Sequence, residues 1–108
     1  MRLLARKPVA KFTLDYAAFP VTTAAWLQLL AATTEPCSAI EIFSGSGSII
    51  KVSLGAAGLE DASEIPYYIT PGGSSILLPI EISKGTRISA KAVDTTANVG
   101  TLVINFFG

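Results

Sequence analysis

The 108-residue chain has no histidine, a single cysteine and few charges. Each shortage closes off a class of chemistry. Without histidine no imidazole is available to activate a serine or cysteine nucleophile, so Ser-His and Cys-His catalysis are excluded. The lone cysteine, Cys37, has no partner for an internal disulfide. Soft and borderline metal ions want clustered cysteine and histidine, and find no such set. No apolar run reaches the ~18 residues of a membrane-crossing helix, so no membrane span is expected. The opening MRLLARKPVA has basic residues, but Arg6 and Lys7 interrupt its apolar stretch after Leu3-Leu4-Ala5. An export signal needs about 7–15 apolar residues there. The expectation is a soluble protein made in a cytoplasm.

Charge is scarce and balanced. Only 15% of residues are charged, against about 25% in an ordinary soluble domain. Eight basic residues cancel eight acidic ones. Lys51, Arg87 and Lys91 can gather on one face, but a net charge of zero offers no extended positive surface to phosphates, and no nucleic-acid partner is expected. Soluble proteins draw solubility from net charge of one sign. A neutral, charge-poor surface therefore suits a protein largely covered by others.

The glycine-rich stretches do not make phosphate cradles. Gly45 and Gly47 give G-x-G, but Ile50 stands where a third glycine is needed and a strand-like IIKVSL follows instead of a helix. Positive φ in tight turns is the expected use of these glycines. Glu60, Asp61 and Glu64 lack the alternating acidic spacing of a calcium loop. Glu41 and Glu81 read as solvent-facing mid-strand carboxylates. No cofactor, metal or catalytic residue is expected, and the protein is read as no enzyme.

What is present is β-patterning. From Val9, Ala10, Phe12, Leu14 and Tyr16 alternate with Lys11, Thr13 and Asp15, the period of a half-buried strand. AAWLQLLAA carries Trp26, Leu29 and Leu30 at helical spacing after Thr22 and Thr23, which predicts a short helix near residues 23–31. Strand-like runs follow at 37–44, 49–54, 65–70, 75–82, 87–93 and 101–107, separated by Gly/Ser/Pro/Asn turns. Cys37 opens one of them as a small buried hydrophobe. The fold class is all-β, a two-sheet antiparallel β-sandwich of jelly-roll-like arrangement with one short helix. Residues 1–8 form a cationic N-terminal arm, and 9–108 form a single β-sandwich domain.

The stretch PGGSSILLPIEISKGTRISAKA contains a strand apolar on both faces. Ile76, Leu78, Ile80 and Ile82 point one way, Leu77 and Pro79 the other. A strand in so small a domain normally shows one face to water. Pro66 and Pro79 place their strands at sheet edges, strand starts or bulges, where outside partners dock.

IEIFSGSGSIIKVSLG, YITPGGSSILLPIEISKGTRISAKAV and the terminal GTLVINFFG resemble small virion proteins of tailed bacteriophages, of the capsid cement or decoration type. Small tail-associated sandwich proteins share the pattern. The resemblance covers Ala39 to Gly108. It implies a protein on the outside of the capsid, without cofactor or chemistry, that bridges major capsid protein subunits as a dimer or trimer. The expected protein-interface residues are Arg2, Arg6 and Lys7 of the arm, Leu77 and Pro79 of the two-faced strand, and Phe106 and Phe107 of the apolar C-terminus. A tail or neck protein is the nearest alternative. A carbohydrate-binding receptor module is the alternative from another class, with Tyr67-Tyr68 as its only aromatic pair.

Overall fold

The computed structural model of the protein describes residues 7–63 and 75–108. The strand expected over 65–70, Pro66, Tyr67, Tyr68, Glu64 and the PGGS turn fall outside them, as do Arg2 and Arg6. Among the described residues there are seven strands: β1 (Pro8–Asp15), β2 (Leu27–Leu30), β3 (Ala39–Ser44), β4 (Ile50–Ser53), β5 (Ser75–Leu78), β6 (Ile88–Ala92) and β7 (Thr101–Phe107). They form two antiparallel sheets, one of four strands in the order β1-β7-β3-β5 and one of three in the order β2-β6-β4. The protein is all-β and builds the two-sheet sandwich that its alternating runs imply.

Period-two patterning decides which side chains meet between the sheets. In β7, Leu102, Ile104 and Phe106 turn inward and are buried, while Thr101, Val103, Asn105 and Phe107 stay half-buried on the other face. Ile40 and Ile42 of β3 and Leu14 of β1 join them from the same sheet. Ile50, Val52, Ile88 and Ala90 face them from the smaller sheet. Burying each large aliphatic side chain of this set contributes about 1.5–3 kcal/mol. The Tyr16 hydroxyl, fully buried, meets its polar demand through the Ser44 hydroxyl at 2.9 Å.

The helix expected near residues 23–31 is absent. Leu27–Leu30 is instead edge strand β2, paired to β6 through Leu27↔Ala90, Gln28↔Ser89 and Leu30↔Ile88, with a register shift between Gln28 and Leu30. That irregularity leaves Leu29 and Leu30 as consecutive half-buried residues, which with Trp26 imitate helical spacing. Nine residues barely offset the cost of nucleating a helix, whereas the extended chain satisfies its backbone on β6. The expected cap also has another use, since the Thr22 hydroxyl oxygen accepts the Ala24 N–H at 3.3 Å in a local turn.

The 75–82 run is a strand only as far as Leu78. Pro79 ends it, the Ile80 N–H folds back to the Leu78 carbonyl at 2.9 Å, and Ile82 rejoins the fold by a bridge to Cys37. The two-faced alternation survives this break. Leu78 and Ile82 are buried, Ile76 and Ile80 half-buried, and Leu77 and Pro79 exposed. Among the described residues β5 is an edge strand, consistent with a proline directly behind it. At the other end Pro8 belongs to β1, one residue before the expected domain start.

The GSGS turn is held by side chains and not by positive φ at Gly45 or Gly47. Ser46 Oγ accepts the Ser48 N–H at 2.9 Å, and the Ser48 hydroxyl meets Thr95 Oγ1 at 3.0 Å. The glycine that the fold does demand is Gly100, at φ +89°, where an added Cβ would stand 2.7 Å from the Gly45 carbonyl oxygen. Gly100→Ala is expected to cost more than about 1 kcal/mol, because strain at positive φ and a clash with backbone coincide. Urea unfolding of the two proteins measures it; equal midpoints would contradict this account of the turn.

Candidate docking surfaces

The two sheets present very different outer faces. On the smaller one the side chains are polar and engaged with one another. Lys51 and Lys91, cross-strand partners, hold their ammonium groups 5.3 and 5.9 Å from the centre of the Trp26 ring, within the range of cation–π attraction. The Trp26 indole N–H donates to Asp61 at 3.1 Å. Arg87 donates to Gln28 at 2.8 Å and to Glu60 at 2.9 Å. Two of the three cations expected to gather therefore share one aromatic ring, and the third is held by a carboxylate.

Glu60 is the anchor of this network. Its carboxyl is held below the ordinary 4.5 by its own backbone N–H first, with the Arg87 guanidinium and the Gly58 N–H adding to the effect and burial opposing it. Glu60 and Asp61 are thus structural acceptors. Among the described residues no group of acidic and cysteine side chains has metal-holding geometry. Glu41 and Glu81 do not meet across the sheet: Glu41 accepts from Asn105 at 3.1 Å, and Glu81 lies outside the strands. The Cys37 thiol is buried, and burial followed by the nearby Glu35 charge pushes it above 9.0, so it stays protonated at neutral pH.

The outer face of the larger sheet is different. Pairing sets Lys11, Asn105, Glu41 and Leu77 in one row and Thr13, Val103, Phe43 and Ser75 in the next. Phe107 lies opposite Ala39 on the same face. Phe43, Val103 and Phe107 are only half-buried, and Leu77 is 56% exposed at the edge. Apolar side chains thus flank a central polar pair, Asn105 with Glu41 at 3.1 Å, and no second layer covers the face among the described residues.

Of the residues expected to form an interface, Leu77 and Phe107 come together on this face, and Pro79 follows Leu77 at its margin. Lys7 is exposed at the corner, its backbone carbonyl accepting the Gly108 N–H at 2.8 Å. Phe106 is 2% exposed and belongs to the interior, where it faces Ala10 and Ile40.

A second surface follows from strand order, which sequence patterning does not reveal. Among the described residues β1 and β2 are edge strands of their sheets, and residues of both line the open seam between them. One cleft of about 210 Å³ is lined by Val9, Phe12, Leu30 and Phe106, and another of about 460 Å³ by Leu14, Phe19, Leu27 and Leu29. Phe19 stands 60% exposed beside the second. Comparison with known protein families, curated sequences and solved structures finds no match for this chain.

The polar network carries a pH prediction. Asp94, which accepts the Ile49 and Thr95 N–H groups, is likewise held below its ordinary 3.8. A carboxyl with a lowered folded-state pKa contributes stability above its unfolded pKa and loses it as pH falls through the folded value. The thermal midpoint should therefore fall below about pH 4.5, and Glu60→Gln should lower it at pH 7 while flattening the acid limb. An acid limb of unchanged steepness in the variant would remove Glu60 from the explanation.

Proposed function

We propose that the chain is a non-enzymatic structural protein of a phage particle, a cement or decoration protein that docks on the outside of the capsid and bridges major capsid protein subunits. The observation that supports this reading is the outer face of the four-stranded sheet, which no layer covers among the described residues and which presents half-buried Phe43, Val103 and Phe107 with Leu77 exposed beside them. Exposed apolar patches of this kind mark interaction sites. The smaller sheet's polar, mutually bonded face argues which side meets the partner. The sequence resemblance to capsid decoration proteins supplies the class of partner.

The mechanism is burial of apolar surface across subunit boundaries. A specific protein contact buries about 800 Å² per partner, and a protein touching several subunits exceeds that in total. Repetition over many copies turns modest individual contacts into resistance against the pressure of packaged DNA. A charge-poor surface serves this role, because desolvating unpaired charge at the contact would cost affinity. The arm residues Arg2, Arg6 and Lys7 suit an acidic shell exterior.

Attachment of the purified protein to emptied shells of its own phage tests the proposal. Leu77→Asp should weaken attachment at least about tenfold, a loss of about 1.4 kcal/mol, while the melting temperature stays within a few degrees, since Leu77 lies outside the core. Undiminished attachment, or attachment to tails and not to shells, would overturn it.

A further inference from the structure

β1 presents a free edge whose pattern is self-complementary. Among the described residues it pairs with β7 alone. The Tyr16 N–H reaches the Gly100 carbonyl at 3.0 Å. By the alternation of an antiparallel ladder, Leu14, Phe12 and Ala10 also turn their backbone groups to β7. Lys11, Thr13 and Asp15 turn theirs outward. The Asp15 carbonyl is already taken by the Ala18 and Phe19 N–H groups, at 3.2 and 3.0 Å. The remaining outward groups of these three residues have no partner within the ladder. No proline or bulge blunts the edge between Lys11 and Asp15, the one irregularity of β1 lying between Pro8 and Ala10. Unprotected edges of this kind template pairing with another chain.

We propose that β1 is an interface between two copies of this chain, paired antiparallel about a two-fold axis at Thr13. In this register Lys11 lies opposite Asp15 of the second copy, Asp15 opposite its Lys11, and Phe12 opposite its Leu14. Two-fold pairing about any other outward-facing residue is worse. An axis at Lys11 sets two ammonium groups against each other, and one at Asp15 sets two carboxylates together, both destabilising when directly opposed. Axes at Phe12 or Leu14 leave one charge against a threonine. At Thr13 the two threonines exchange both of their backbone hydrogen bonds, and each Asp15 N–H meets the Lys11 carbonyl of the other copy. That gives four main-chain bonds and two ion pairs across one isologous contact.

The same pairing accounts for the open seam. An added strand sits about 4.8 Å beyond β1, with Phe12 and Leu14 of the second copy on the inward side. They cover the apolar groove beside Phe19 and Leu29. The two four-stranded sheets become one of eight strands, and their outer faces form one two-fold surface. The inference rests on reading the seam as a docking surface, and is independent of which particle the outer face meets.

Sedimentation of the full chain tests it with two variants and their mixture. The native chain should sediment as a dimer at tens of micromolar. K11D puts carboxylates against carboxylates across the axis and D15K puts ammonium groups against each other, so each alone should raise the dissociation constant about tenfold or more. An equimolar mixture of the two should regain the native dimer, because both contacts then join acid to base. D15K also loses the Asp15 carboxylate bond to the Ala17 N–H at 3.0 Å. Amide hydrogen exchange on the native chain therefore serves as a second reading. The Thr13 and Asp15 amides should gain protection with rising concentration. A monomer at every concentration, a dimer indifferent to K11D, or no recovery in the mixture would overturn the proposal. A dimer that ignores capsid shells would overturn only the capsid reading.

Discussion

The register of β7 is the constraint on which the rest depends. This strand is bonded on both sides, to β1 and to β3, and its alternation assigns every residue of the larger sheet to one face or the other. Leu102, Ile104 and Phe106 go to the core; Val103, Asn105 and Phe107 go outside. A slip of one residue would exchange these sets. The register is fixed at its start by backbone contacts. The Gly45 N–H reaches the Thr101 carbonyl at 2.8 Å, and Gly100 passes too close to Gly45 for any side chain. One local geometry thus decides both what the molecule buries for itself and what it offers to others.

The offer is asymmetric because the two sheets solve the problem of their outer faces differently. Over the smaller sheet, Trp26 is enclosed by two lysines and an aspartate, and Arg87 is fixed between Gln28 and Glu60. Each of these side chains has its partner within the chain. Over the larger sheet, Phe43, Val103, Phe107 and Leu77 have no covering layer among the described residues, and the charges that share their face are Lys11, Asp15 and Glu41.

Much of the sandwich was legible in the sequence. Period two in 9–16 gave the first strand and its inward side, 101–107 read as a strand without its buried side, and alternation separated Leu77 and Pro79 from Ile76 and Leu78. It also explains why Phe106 and Phe107 divide between core and surface: neighbours in a strand point to opposite faces. What escaped was what a linear pattern does not encode. The irregular pairing at Leu29 disguised β2 as a helix. Strand order was invisible, so the seam formed by β1 and β2 had no signal. The GSGS turn looked like a demand for glycine conformations, when serine hydroxyls carry it.

The central claim is that the outer face of the four-stranded sheet is dry in the assembled particle. Electron cryomicroscopy of the virion, at a resolution that shows side chains, tests it most directly. The account predicts this protein on the capsid exterior, with Leu77, Phe43 and Phe107 packed against major capsid subunits and the Trp26 face turned to solvent. A particle in which the Trp26 face meets the shell while Leu77 and Phe107 stand in water would contradict it.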